Sequence, residues 1–126
     1  MRLHLDTSFL IDWRRQDPRT HDLAREIGDG QHEISIDPVV EAELFAVPCV
    51  TEDYVMLFDA VLAIGAVLPL SSQASRLAAS WLAPMDEAKR RAHFADALIG
   101  AIAQTAEAIL VTGDRRIARV LPMPEY

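Results

Sequence analysis

The chain has 126 residues, of which 51% are hydrophobic and 25% are charged, and its formal net charge is −7. Its length and apolar content predict one globular domain over residues 1–126 and exclude a disordered chain. The excess of Asp and Glu argues against broad, nonspecific binding of nucleic acid, which depends on Lys and Arg.

The first predicted elements are a strand and a helix that meet at Asp6. Apolar and polar residues alternate from Met1 to Asp6, which is typical of a strand with one buried face, and helical spacing runs from Ser8 to about Arg15. Ligands of open α/β sheets bind at the edge where the strands end. Asp6 is therefore either the N-cap of the helix or a residue of a binding site.

Helices and strands alternate along the rest of the chain. The predicted helices cover 20–27, 38–47, 51–64, 71–83 and 92–108, and the predicted strands cover 32–36, 66–70 and 108–112. Asp37 is the expected N-cap of the second of these helices, with Pro38 in its first turn. The Ala-rich helix at 92–108 carries few charges and is expected to be central and buried. This alternation predicts βαβ units and an α/β fold with a mainly parallel sheet.

The chain is expected to be cytoplasmic, without a membrane partner. Cys49 is the single cysteine, which excludes an internal disulfide and suits a reducing compartment. Asp6 interrupts the first apolar run before a signal sequence could form. The longest uncharged stretch, at 60–75, contains a glycine, a proline and three serines, and such a composition is poor for a membrane span.

Two acidic residues occupy equivalent places after predicted strands. Asp114 follows the strand at 108–112, behind Gly113, as Asp6 follows the first strand. If the two strands end at the same edge of a parallel sheet, their carboxylates come close together. The alternative for Asp114 is a cap or turn residue.

Two further acidic residues lie on apolar helices. The neighbours of Glu43 one turn away are Val39, Val40, Ala46 and Val47. A carboxylate in such surroundings is costly unless it is paired or binds a metal ion, so a functional role is favoured over a structural one.

Asp96 lies on the most apolar helix of the chain, one turn before Gly100. Its alternative is a partly exposed residue paired with Arg90 or Arg91, and His93 is interpreted as an ordinary polar residue near the helix start. Four carboxylates at one sheet edge would repel each other, and a divalent cation removes that penalty. Ligands that are all oxygen favour Mg²⁺ or Mn²⁺ over zinc.

Four short motifs follow one another along the chain: "LDTSFLID", "VVEAELFA", "FADALIGAIA" and "ILVTGDRR". In this order they resemble those of the PIN-domain ribonucleases, and among them the VapC-like toxins of type II toxin–antitoxin pairs. The resemblance implies a parallel central sheet flanked by helices on both faces, a homodimer, and RNA cleavage dependent on one or two Mg²⁺ or Mn²⁺ ions. It also implies a cognate antitoxin that covers the acidic cleft.

The same resemblance assigns site residues. The family's acidic metal-binding and catalytic set is matched by Asp6, Glu43, Asp96 and Asp114. Thr112 matches a frequent hydroxyl residue, whereas Ser8 stands where many members carry Asn, which puts its supporting role in doubt.

Basic residues flank two of these acids and are expected to contact RNA phosphates. They precede the helix of Asp96 or follow Asp114: Lys89, Arg90, Arg91, Arg115, Arg116 and Arg119. The alternative is a solvated helix face or compensation of a helix dipole.

Two other functions remain open from the sequence. One is a catalytically idle PIN-like module that binds or regulates a partner. The other is a phosphotransfer domain of the receiver or phosphatase type, which fits less well, because Ser8 stands where a phosphatase needs its second Asp. The only lysine, Lys89, is not at a strand end, where a receiver needs one.

Overall fold

The computed structural model describes residues 1–46 and 52–114. Its strands are β1 (Arg2–Leu5), β2 (Glu33–Ile36), β3 (Ala66–Val67) and β4 (Ile109–Val111). Its helices are α1 (Thr7–Arg14), α2 (His21–Gly28), α3 (Pro38–Phe45), α4 (Glu52–Ile64), α5 (Ser72–Leu82), α6 (Glu87–Ala92) and α7 (Phe94–Thr105). The predicted helix at 38–47 ends earlier, at Phe45. Val47, the Thr51 cap and residues Arg115, Arg116 and Arg119 lie outside the described residues.

The four strands form one parallel sheet in the order β3-β2-β1-β4. In this register Leu3 lies opposite Ile34 on one side and Ile109 on the other. Helices cover the sheet in the α/β/α arrangement, so the predicted fold class is confirmed. Because the strands are parallel, β1, β2 and β4 all end at the same edge of the sheet.

The burial of β1 differs from the sequence prediction. Alternation predicted one buried and one exposed face, but Leu3, His4 and Leu5 are all 0% exposed. The prediction was wrong because β1 is an inner strand of a parallel sheet, and such strands are buried on both faces. The alternating residue His4 is tolerated there because both of its ring nitrogens have polar partners.

Local signals placed the ends of several helices correctly. Asp37 caps α3 by accepting from the backbone N–H groups of Val39 and Val40, and Ser71 caps α5 by accepting from Ala74 N–H. The side chain of Asp6 accepts from the N–H of Thr7, so its predicted capping role is confirmed as well.

Two predicted elements have different bounds in the structure. The helix at 92–108 is shorter, and a separate helix, α6, precedes it, because His93 has a non-helical backbone with φ −109° and ψ 11°. The strand at 66–70 contains only Ala66 and Val67. Its pairing ends with the bond from Leu68 N–H to Ile36 O at 2.8 Å, because its partner β2 ends at Ile36 and the chain enters α3 at Pro38.

Helix α7 forms the centre of one helical layer, as its composition predicted. It packs on α5 and β4, and its buried residues are Ala97, Ile99, Gly100, Ala101, Ile102 and Ala103. Its first residue, Phe94, is exposed. None of the helices within residues 1–46 and 52–114 has the length and apolar character that crossing a bilayer requires.

Candidate functional site

Asp6 lies at the carboxyl end of β1 and is 3% exposed. Its Oδ1 accepts from the N–H of Thr7 at 2.7 Å, and its Oδ2 accepts from the hydroxyls of Ser8 at 3.0 Å and Thr112 at 2.7 Å. Burial raises the pKa of Asp6 above 3.8, and the three hydrogen bonds oppose that rise only in part. The residue is therefore a helix cap and at the same time a desolvated acid at the ligand-binding edge.

Two hydroxyl groups join the ends of β1 and β4 at this acid. The Oγ of Ser8 and the Oγ1 of Thr112 lie 2.9 Å apart. Ser8 Oγ accepts from the N–H of Gly113 at 2.9 Å, and Thr112 Oγ1 accepts from the N–H of Asp114 at 3.0 Å. The side chains of Ser8 and Thr112 thus orient Asp6 and position the backbone that carries Asp114.

Gly113 lies close to α1. A Cβ atom at residue 113 would meet the carboxylate of Asp12, so a larger residue there would require the Asp12 side chain to move.

Glu43 projects from α3 toward Asp6. Its side chain is partly buried, and its Oε1 accepts from Thr7 Oγ1 at 2.9 Å. Burial raises the pKa of Glu43 above 4.5, and the charges of Asp6, Asp96 and Asp37 raise it further. The sequence placed Glu43 on an apolar stripe. The structure shows this side of α3 to be mixed, because Val40 is buried whereas Ala46 is exposed.

Asp96 projects from the first turn of α7. Burial raises its pKa above 3.8, and the charges of Asp6 and, more weakly, Asp114 add to this effect. His93 opposes the rise, since its Nδ1 lies 3.7 Å from Asp96 Oδ2. His93 therefore faces the site, which the sequence interpretation did not predict.

The four predicted acids interact electrostatically, but they do not form a closed ligand cage. Within the described chain, no three His, Cys, Asp or Glu side chains are placed to hold a metal ion. In the same residues no Lys or Arg forms an ion pair with Asp6, Glu43 or Asp96. Desolvated carboxylates with hydroxyl neighbours are a donor set that suits a hard divalent cation.

Arg90 and Arg91, which were predicted to contact RNA, bond within their own part of the chain. Arg91 pairs with Glu87 at 2.7 Å on α6, and Arg90 donates to the carbonyl of Met85 at 3.0 Å. Both side chains are exposed, and the structure does not join either of them to Asp96. Asp96 is partly exposed, as the alternative interpretation held, but the described residues show no ion pair between it and Arg90 or Arg91.

The sequence interpretation missed a buried polar group beneath the acids. His4 Nε2 lies 2.6 Å from Asp37 Oδ2, and His4 Nδ1 lies 2.7 Å from Ser35 Oγ. Asp37 had been assigned only as a helix cap. A signal was available, because Asp37 directly follows β2 just as Asp6 follows β1.

A comparison with protein-family models identifies the family of the chain. The model of the family described as "PIN domain" matches residues 3–121. The chain belongs to the PIN domain family. This membership argues against the phosphotransfer alternative. A search of curated proteins found no match.

Solved structures of the same architecture come from toxin–antitoxin proteins. VapBC-1 from nontypeable Haemophilus influenzae is 18% identical, with a TM-score of 0.74 over 100% of this chain and 97% of that chain. VapBC2 from Rickettsia felis, bound to promoter DNA, is 18% identical, with a TM-score of 0.69 over 100% and 98%. VapC20 from Mycobacterium tuberculosis, a sarcin–ricin loop cleaving toxin, is 18% identical, with a TM-score of 0.68 over 93% of each chain.

Proposed function

We propose that this PIN domain is a Mg²⁺- or Mn²⁺-dependent endoribonuclease and the VapC-like toxin of a type II toxin–antitoxin pair. The observation that carries the proposal is the electrostatic state of Asp6, Glu43 and Asp96. Burial raises the pKa of each, and the charge of a neighbouring acid raises it further. An arrangement that is unfavourable for carboxylates alone becomes favourable when they share a divalent cation.

The proposed roles follow from the position of each side chain. Asp6, Glu43, Asp96 and Asp114 would hold one or two cations. When bound, such a cation neutralises charge on a phosphodiester and lowers the pKa of water at the site. Thr112 and Ser8 keep Asp6 oriented by donating to its Oδ2.

Proton transfer requires a group that can accept a proton near neutral pH. A carboxylate oxygen of this set that the cation leaves free is suited to take the proton of the attacking water. Glu43 is suited to this role, because it is only partly buried and a single protein donor, Thr7 Oγ1, contacts its Oε1 in the described residues.

RNA is the proposed substrate, and its phosphates would contact the basic residues beside the acids. Arg90 and Arg91 are exposed in the last turn of α6, just before the helix that carries Asp96, and Arg115 and Arg116 follow Asp114 in sequence. The M. tuberculosis neighbour, which cleaves the sarcin–ricin loop, supports a nuclease with such a target.

A cognate antitoxin and a second copy of the chain are the proposed protein partners. The neighbours from H. influenzae and R. felis are VapBC pairs, which supports an antitoxin. A homodimer is supported by α4, where Val55, Met56 and Ile64 are exposed while Phe58 and Val61 are buried. The apolar stretch therefore exceeds what the described core covers.

The decisive experiment compares wild type with Asp96→Asn on transfer, ribosomal and messenger RNA, with and without Mn²⁺. Wild type should cleave RNA only with the metal ion, and Asp96→Asn should be slower by about a hundredfold or more, the scale for losing a group at the reacting atoms. Asp22→Asn, which removes one charge from the exposed surface of α2, is the matched control and should cleave normally. Cleavage by Asp96→Asn at the wild-type rate, with metal bound, would overturn the proposal.

A catalytically idle PIN module is the second candidate. The observation that favours it is the absence, among residues 1–46 and 52–114, of three acids already placed to hold a metal ion. Mn²⁺ titration discriminates between the two, because an idle module binds the ion weakly or not at all, whereas the proposed nuclease binds it at the acidic site.

A further inference from the structure

His4 and Asp37 form a completely buried hydrogen-bonded pair, with both side chains 0% exposed. Asp37 Oδ2 lies 2.6 Å from His4 Nε2, and its Oδ1 accepts from the N–H groups of Val39 and Val40 at 2.7 and 2.9 Å. Two backbone N–H groups donate to Oδ1, which favours the ionised carboxylate, and His4 Nε2 is placed to donate to Oδ2. Asp37 therefore keeps a negative charge inside the protein.

The register of the sheet places this charge next to the acidic site. His4 lies opposite Ser35 in the β1–β2 ladder, and two residues further along each strand come Asp6 and Asp37. Asp37 directly follows β2, beside the end of β1 that carries Asp6, and it is the N-cap of α3, the helix that carries Glu43. Solvent screens a buried charge in this position only weakly. Asp37 thus acts on the predicted ligands although its own oxygens are occupied by other donors.

We propose that Asp37, held by His4, is a positioning residue whose buried negative charge increases the affinity of the acidic site for a divalent cation. The inference rests on the proposed function, because the charge of Asp37 can change cation affinity only if the acidic site binds a cation. Asp37 contributes through the field at Asp6 and Glu43, and it also fixes the start of the helix that carries Glu43.

The charge can be removed while the shape is kept. In Asp37→Asn the amide oxygen still accepts from Val39 and Val40. The amide N–H donates to His4 Nε2. The ring of His4 then carries its proton on Nδ1 and donates it to Ser35 Oγ. We expect Asp37→Asn to bind Mn²⁺ about tenfold more weakly than wild type, the usual scale for residues that support metal ligands. The dissociation constant is measured by electron paramagnetic resonance of free Mn²⁺.

A matched control lies at the other end of the same strand. Glu33→Gln makes the same change in net charge on β2, but this side chain is exposed and far from Asp6 in the register. Solvent screens such a charge, so the Mn²⁺ affinity should stay within about twofold of wild type.

A second pair of variants tests the role of His4. The amide nitrogen of Gln reaches about as far as Nε2 of His, so His4→Gln still donates to Asp37 and should keep the Mn²⁺ affinity within about threefold. His4→Asn is shorter and no longer holds Asp37 Oδ2, so the carboxylate and the start of the helix that carries Glu43 lose their fixed position, and the Mn²⁺ affinity should fall toward that of Asp37→Asn. A role limited to packing would not separate these two variants in metal affinity.

The outcomes separate this inference from the proposed function. If wild type binds no Mn²⁺, the proposed function fails and the inference fails with it. If wild type binds Mn²⁺ and Asp96→Asn does not, but folded Asp37→Asn binds as tightly as wild type, only the inference is overturned. If circular dichroism shows that Asp37→Asn does not fold, equal affinities of His4→Gln and His4→Asn overturn the inference instead.

Discussion

The two ends of the β1–β2 strand pair each carry an acid–base pair, one exposed to solvent and the other buried. At the amino end, Arg2 Nε lies 3.1 Å from Glu33 Oε2, and the side chains are 60% and 78% exposed beside an open cavity of about 550 Å³. At the carboxyl end, His4 and Asp37 are fully enclosed. The same two strands thus carry one pair in water and one in the protein interior.

The difference shows that burial determines how much a charged pair contributes to the free energy of unfolding. Water solvates Arg2 and Glu33 whether or not they meet, so their contact adds little to stability. Asp37 has no water to replace a lost donor, so every one of its contacts matters. The same reasoning applies to Asp6, whose oxygens depend on three protein donors.

The largest expected effect is the loss of the buried pair. His4→Leu leaves the carboxylate of Asp37 enclosed without its donor, and the free energy of unfolding should fall by about 3–5 kcal/mol. Urea unfolding followed by circular dichroism measures this loss. The double variant His4→Leu with Asp37→Asn removes the charge as well and should recover part of the stability. A double variant less stable than His4→Leu alone would contradict the explanation.

A smaller loss is expected at the hydroxyl that joins β1 and β4. Thr112→Val removes a donor to Asp6 and an acceptor for the N–H of Asp114, and it should cost about 1–3 kcal/mol in urea unfolding. Thr105→Val is the matched control, because its hydroxyl bonds only to the carbonyl of Ile102 in its own helix. The control should change stability by about 0.5 kcal/mol or less.

The acids at the carboxyl end of the β1–β2 strand pair should also make the stability of the metal-free protein depend on pH. The folded-state pKa of Asp6, Glu43 and Asp96 is raised, so the folded protein binds more protons than the unfolded chain. Stability from these groups is therefore greatest below their ordinary pKa values of 3.8 and 4.5. It is lost as pH rises from there through the raised values.

Thermal unfolding of wild type and Asp96→Asn in metal-free buffer from pH 4 to pH 8 measures this effect. Wild type should lose stability relative to the variant as pH rises, since the amide does not ionise. Asp17 provides the opposite sign, because Arg19 lowers its pKa to about 2, so its contribution is present above pH 3.8 and is lost as pH falls toward 2. A difference between wild type and Asp96→Asn that does not vary with pH would refute this account.

The smallest effect is expected at the amino end. Glu33→Gln removes the exposed ion pair with Arg2 and should lower the free energy of unfolding by no more than about 1 kcal/mol. A loss as large as that of His4→Leu would show that exposure does not distinguish the two ends of the strand pair.

Much of the fold was predictable because its signals are local. The order of helices and strands follows from the spacing of apolar residues, and the start of α3 follows from Asp37 and Pro38. The break before α7 was missed, because the Ala-rich segment has high helix propensity and nothing in it indicates the backbone turn at His93. The end of β3 was missed, since the strand pattern continued through it.

The sequence by itself determined the parallel α/β architecture, the acids after β1 and β4, and the resemblance to PIN domains, because these depend on residue type and spacing along the chain. Only the tertiary structure decided that His4 is buried and that it pairs with Asp37. The tertiary structure was also needed to show that Arg90 and Arg91 bond within their own segment. His4 and Asp37 are 33 residues apart in the sequence, so periodicity along one segment cannot predict that they pair. Periodicity cannot predict the burial of His4 either, because burial depends on which helices and strands cover β1.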